Sequence, residues 1–282
     1  MIFLIKVSGA IFASTGIDKS IELKSFPRAR LDGVERRVQV DGFISTSRDM
    51  HSSQKKGDPH VDDVGVVIEL KKSSDSDTPA KYSLLKYIEQ VFTNQPNRIV
   101  VHGMTLAGGD LRFYVFDRGS VYQSCAYNIF NKPDILIRAL IGFQQMDAGM
   151  MGFDTSIENV SENVFKITVG KSVVEVKPPL ERAPGIFTRA TTIWPLLDES
   201  GFVKDCWPVE ECRGHEAKYL HTSVATFKIC LTLTSTVRSS LLSNLHKLQK
   251  RHLIASTSEK KWKGMTPQTR RRTPERTESI TA

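Results

Sequence analysis

The sequence predicts an α+β protein in two parts: a mixed sheet with helices over 31–145, then a small strand-rich region over 161–226. Three observations carry this reading. Continuous β-branched runs such as Val64–Lys71 read as buried strands. A stripe of Leu84, Leu85, Ile88, Val91 and Phe92 at helical spacing follows that run. After residue 161 the helical spacing gives way to short apolar strands. The 282 residues are 40% apolar and 25% charged. That is average for a globular chain and excludes a wholly disordered chain, a collagen-like repeat or a coiled coil. No run of about 18 apolar residues exists, so no membrane span is expected.

Taken in order, residues 1–30 form an N-terminal segment that starts Met1-Ile-Phe-Leu-Ile-Lys-Val. This stretch is short, interrupted by Lys6 and not preceded by basic residues, so it reads as the start of a strand or helix rather than a signal peptide. Val38 to Ile44 reads as a strand and 45–63 as a polar loop. Val64–Lys71 is a buried strand, Ser73–Pro79 a loop and Lys81–Phe92 a helix. Arg98–Leu106 and Leu111–Phe116 form two strands around the Ala107-Gly-Gly-Asp turn. Asp117–Ser120 turns into a strand over Val121–Ile129, and Pro133–Gly142 is a helix. Residues 146–160 read as a linker. Strands are expected at Phe165–Val169, Val173–Val176, Ala190–Leu197 and Gly201–Lys204. Helices are expected over Glu210–Thr222 and Ser239–Ile254, and 255–282 is Ser/Thr/Lys/Arg-rich and expected to be disordered.

The net charge is +8, but it is unevenly placed. Residues 228–282 hold 12 basic and 3 acidic side chains, a net +9, which leaves −1 for residues 1–227. The basic character belongs to a divergent tail over 227–282, which could meet nucleic acid. Arg270-Arg271-Arg272 and Lys260-Lys261-x-Lys263 fit either a nuclear import signal or a solvated tail. Cys125, Cys206, Cys212 and Cys230 lack C-x-x-C spacing, so neither a zinc site nor a disulfide framework is expected. An intracellular protein of the cytoplasm or nucleus follows, with a protein substrate or partner that the sequence does not identify and no membrane partner. The seven histidines are scattered without metal spacing.

Three segments together carry a resemblance. The first is Gln95-Pro-Asn-Arg-Ile-Val-Val-His-Gly-Met-Thr-Leu, followed by Leu111-Arg-Phe-Tyr-Val-Phe-Asp-Arg-Gly. The second runs from Gly142-Phe to Met151-Gly-Phe-Asp-Thr-Ser-Ile. The third is Thr188-Arg-Ala-Thr-Thr-Ile-Trp, then Val203-Lys-Asp-Cys-Trp, then Glu216 in the following helix. In order and spacing, over roughly 31–225, these resemble the fungal-type protein kinase family, a fungus-restricted kinase-like branch. The resemblance ends near 226, as if truncated after the N-lobe.

This resemblance implies ATP-dependent phosphoryl transfer to protein, with ATP and Mg²⁺ as cofactors. It places Lys204 on the α/β-phosphates and Glu216 as the ion-pair partner orienting that lysine. Thr188 stands where the family's phosphate-covering loop has Gly, and no G-x-G-x-x-G occurs. No H-R-D-like motif and no D-F-G follow Glu216, so the expectation is a kinase-like chain without activity of its own. Trp194 and Trp207 read as packing anchors, Asp117-Arg118 as a salt bridge in a turn, and Gly152-Phe153-Asp154 as a helix cap.

A second constellation lies upstream. Glu69-Leu-Lys71 closes a strand with both side chains on one face, and the upstream strand Val38–Ile44 carries Asp41. Together with the helix at 81–92, which contains Gln90, and the strand that follows, this order resembles the PD-(D/E)-x-K nuclease core. Val40 stands in place of its proline. The alternative function is then a Mg²⁺-dependent nuclease or nucleic-acid-binding module, with Asp41 and Glu69 holding the metal and Lys71 helping to activate water. An exposed Glu-Lys sheet edge is the plainer alternative.

Overall fold

A computed structural model describes residues 2–15, 23–25, 30–34, 38–45, 59–161, 163–169, 171–207 and 232–233. The larger part is a mixed sheet covered on both faces. Helix α1 (Ile2–Thr15) leads to strands β1 (Leu23–Ser25), β2 (Gly42–Ser45) and β3 (Val64–Lys71). Helix α2 (Asp77–Asn94) crosses to β4 (Val101–Ala107), then β5 (Asp110–Phe116), β6 (Val121–Gln123) and β7 (Tyr127–Asn128) follow. The sheet order is β1-β2-β3-β4-β5-β6, with β7 also on β5. Only β3 and β4 are parallel, which requires a long crossover, and α2 supplies it.

β3 is apolar from Val64 to Ile68, where both its faces are buried. Val66 and Ile68 join Leu4 and Ile11 of α1 and Leu136 and Leu140 of α3 (Pro133–Gln144). Val64 and Val67 join Leu84, Ile88, Val91 and Phe92 of α2 on the opposite side. This is the continuous pattern of a strand sandwiched between helices. The α2 helix starts earlier than its apolar stripe suggests, at Asp77. Pro79 is accommodated because the first-turn amides have no intrahelical acceptor. The helix ends at Asn94, where Pro96 disfavours helical backbone at Gln95.

Two differences from the sequence reading have local causes, while the N-terminal stretch takes one of the two forms expected of it. Val121–Ile129 breaks into β6 and β7, since Ser124 turns its hydroxyl to the amide of Phe113 (3.0 Å). The N-terminal stretch is helical. The span read as a linker, 146–160, contains helix α4 (Ala148–Met151) and most of strand β8 (Ile157–Ser161). Gly152 closes α4 at φ +99, and a Cβ there would meet the carbonyl oxygen of Val100 at 2.1 Å. That close approach lets Gly152 O accept the amides of Ile99 (3.0 Å) and Val100 (3.1 Å). Capping by this Gly-Phe-Asp segment agrees with the expectation.

The smaller part has two short sheets. Strands β8, β9 (Val164–Val169) and β10 (Ser172–Val176) form an antiparallel meander. β11 (Glu181–Arg182), β12 (Thr192–Pro195), β13 (Phe202–Asp205) and β14 (Thr232–Leu233) form the second. A bridge between Val176 and Leu196 connects them. One modest core unites them: Ile157, Ile167, Val176, Trp194 and Val203. Trp194 is fully buried, with the Phe165 ring edge-on at 5.2 Å. The helices expected at 210–222 and 239–254, and all of the tail except β14, lie outside the described residues.

Candidate functional site

The pairing of β11, β12 and β13 fixes which side chains share a face. Arg182 pairs with Thr192, Thr192 with Asp205 and Trp194 with Val203. Thr192, Trp194, Val203 and Asp205 are all buried, so this is the inner face. Lys204 pairs with Ile193 and lies on the opposite face, half-buried. Glu216, its expected partner, lies outside the described residues. The loop 183–191 joining β11 to β12 contains Thr188, the residue that the resemblance sets opposite the family's glycine. Thr188 Oγ1 accepts the amide of Ala190 (3.1 Å), itself held at φ +46.

The residues that carry the three-part resemblance converge where the two parts of the molecule meet. Gln95 Nε2 donates to the carbonyls of Val61 (2.7 Å) and Val64 (2.9 Å). Arg98 is buried, donating Nε to Val100 O (2.9 Å) and Nη2 to Gly65 O, with its guanidinium 4.2 Å over the Phe153 ring. Burial lowers its pKa to about 9, which leaves it charged at neutral pH. Asn97 O accepts the Asp154 amide (2.7 Å), and the Asp154 carboxylate holds Ser156 N (2.9 Å) and Oγ (2.6 Å). Trp207 packs against Ile99 and Val100 on the larger part, while Trp194 anchors the smaller core.

Asp117 and Arg118 do not pair with each other. Asp117 Oδ1 accepts the amides of Gly119 (2.7 Å) and Ser120 (2.5 Å), and burial raises its pKa. Arg118 lies 4.2 Å over the Phe92 ring and donates to Phe92 O (3.0 Å) and Gly185 O (2.9 Å). From β11, Arg182 reaches Phe92 O (2.7 Å), Thr93 O and Gln95 O (3.0 Å). The last carbonyls of a helix have no intrahelical donor and sit at the negative end of its dipole. Two arginines therefore cap the C-terminus of α2, one from each part. Pro96, Asn97, Arg98, Arg118, Asp154, Thr192, Asp205 and Trp207 line the small cleft between the parts. The sequence reading had Asp117-Arg118 as a salt bridge in a turn and Trp207 as a packing anchor, and gave Gln95, Arg98 and Arg182 no structural role. The arginines' signal was present as charge at otherwise apolar strand ends.

The second constellation assembles at the α2 side of the large sheet. Asp41 Oδ2 accepts the amide of Leu70 at 2.9 Å, one position beyond the Gly42–Ile68 pair, which sets it beside Glu69. Glu69 is 1% exposed and accepts from Lys71 Nζ through Oε1, while Oε2 has no hydrogen-bond partner. Burial raises its pKa foremost, the Lys71 hydrogen bond opposes this, and the Asp41 charge adds to it. Ser83 and Tyr87 of α2 approach the same carboxylate, and burial followed by the two carboxylate charges pushes the Tyr87 phenol up. The sequence reading missed both, although their i, i+4 spacing puts them on one helix face. Gln90 is buried within α2. Among the described residues no group of three or more His, Cys, Asp or Glu side chains could hold a metal ion. Cys125 is exposed and Cys206 buried, both as free thiols. No helix among the described residues is long and apolar enough to cross a membrane.

The profile of the family described as fungal protein kinase matches residues 39–273. The match covers most of the chain and extends past 226, where the recognisable motifs end. No curated protein and no solved structure matches.

Proposed function

The chain belongs to the fungal protein kinase family, and from that premise we propose that the β11–β13 sheet is the nucleotide-facing part of a kinase-like N-lobe. Lys204 holds the α/β-phosphates of ATP, Glu216 orients it, and a protein is the phosphoryl acceptor of the inherited reaction. The observation that carries this reading is the face Lys204 occupies. It lies on the second strand from a hairpin loop, half-buried, with the packed core of Trp194 and Val203 behind it. A lysine so placed is partly desolvated yet reachable by phosphate oxygens.

ATP fits this arrangement through the Lys204 ammonium. Resident Mg²⁺ does not fit a kinase role, because the sequence offers no catalytic-loop Asp and Asn and no D-F-G aspartate. Metal would arrive with the nucleotide. We therefore expect this chain alone to bind nucleotide without transferring phosphate. Titration calorimetry with Mg·ATP should give binding that disappears in Lys204→Ala. Robust radiolabelled-phosphate transfer to protein, lost in the same variant, would overturn the inactivity.

A second reading is favoured by the Asp41–Glu69 pair. Two neighbouring carboxylates, with Glu69 Oε2 lacking a hydrogen-bond partner, suit Mg²⁺, which keeps several waters and needs one or two protein carboxylates. Bound there, the metal would supply Lewis-acid stabilisation to phosphodiester hydrolysis, with Lys71 beside it. Incubation with DNA or RNA and Mg²⁺ tests this: cleavage that vanishes in Glu69→Gln and Lys71→Ala supports it. Intact nucleic acid leaves at most binding through the tail, whose affinity would fall steeply with salt.

A further inference from the structure

The loop 183–191 is the segment that the nucleotide reading expects to close over phosphates. Its base and its tip are both attached to the larger part of the molecule. At the base, Arg182 is committed to three carbonyls at the end of α2. At the tip, Gly185 sits at φ +90 and gives its carbonyl to Arg118 Nη1 at 2.9 Å. Next to it, Ile186 packs, partly buried, against the cluster between α2 and the large sheet that includes Phe92, Tyr114 and Phe116. Strand alternation gives these contacts a direction. Arg182 and Thr192 belong to the inner face, and Lys204 to the other. The loop is thus held toward the face that does not carry the lysine. A phosphate-covering loop works by turning backbone amides onto the phosphates at close range. Here the Gly185 carbonyl is committed to a guanidinium, and the Ile186 side chain packs against another core.

We propose that the N-terminal part is an intramolecular clamp on this loop, and that release of Arg118 from Gly185, with withdrawal of Ile186, admits nucleotide at Lys204. The proposal rests on the nucleotide reading of Lys204. The clamp and the ligand are coupled through one segment with two positions, each favouring its own partner. A ligand that binds only the released loop has its apparent affinity reduced by the fraction of molecules in which the loop is free. Weakening the clamp must then strengthen nucleotide binding, although the substituted residues never touch the nucleotide.

The experiment uses the full chain with Arg118→Ala and, independently, Ile186→Ser, and has two readouts. Hydrogen exchange of amides 184–190 reports the clamp without any ligand, with Arg138→Ala at an exposed site as control. We expect exchange about tenfold faster in both variants and unchanged in the control, with β12 and β13 still protected. Equal loop exchange in wild type and both variants overturns the clamp. Calorimetry with Mg·ATP reports the coupling, with affinity expected to rise about threefold or more in each variant and to vanish on adding Lys204→Ala. Wild-type affinity in the variants, still dependent on Lys204, overturns the clamp and spares the nucleotide reading. Binding indifferent to Lys204, or no binding anywhere, overturns the nucleotide reading and the gating with it.

Discussion

The two parts of this molecule solve the problem of burial differently. The large sheet has a core on each face, closed by α1 and α3 on one side and α2 on the other. The small sheets share a single core around Trp194 and lean on the large part through arginine contacts. Yet the small part carries the lysine to which the family resemblance attaches chemistry. The difference teaches that the small part draws support from the large one, and that its 183–191 loop is positioned by contacts with that neighbour.

The sharpest way to break this comparison is Trp194→Ala. Emptying the space of a fully buried tryptophan costs about 3–5 kcal/mol, more than a core of this size can spare. Limited proteolysis should cut within 157–207 while 59–144 stays resistant; simultaneous loss of both would show that the parts unfold as one. Arg98→Ala should cost about 3–4 kcal/mol, because it strips two buried carbonyls of their donor. Urea unfolding followed separately in each part should register it in both, as the residue lies at their junction.

The pH dependence sharpens the comparison from the side of the large sheet. His102 on β4 is buried, donating Nε2–H to Met150 O at 3.0 Å, and burial lowers its pKa to about 4. Below pH 6.5 the unfolded chain takes up a proton that the folded chain refuses until about pH 4. Stability therefore falls as pH drops through that window and levels off beneath it, by about 3 kcal/mol in all. Thermal melts of His102→Gln should lack this slope. Arg182→Lys is expected to cost about 1–2 kcal/mol, since one ammonium does not reproduce a fork spanning three carbonyls. Fluorescence of the tryptophans under urea would detect it. Lys166→Ala, removing an exposed ion pair with Glu175, should change the midpoint by about 0.5 kcal/mol or less.

Legibility in the sequence followed burial. β3 was readable because both its faces are covered, so Val64–Ile68 is apolar without a break. The α2 stripe was readable because one face meets the sheet. β8 was hidden, since Ile157 alone of its five residues is buried and the rest are polar or exposed. Lys204 and the Asp41–Glu69–Lys71 set were visible as residue types at strand ends, and the structure does bring the last three together. What spacing could not reveal was the junction. Arg98 read as the start of a strand, Arg118 as half of a salt bridge in a turn and Arg182 not at all, and nothing local announces that the last two converge on the end of one helix. Ser83 and Tyr87 were likewise masked by the stronger apolar signal beside them.

That shared helix end also has a schedule. Phe92 and Arg182 are 90 residues apart in the chain. At about 5–20 residues per second of translation, the ribosome takes roughly 5–20 s to deliver the second arginine after the helix has been made. During that interval Arg118 alone can cover the α2 carbonyls, and the cluster that later receives Ile186 lies open. The large part is thus born with a vacant seat shaped for the loop, and any chaperone or stray segment that occupies it early competes with the chain's own completion.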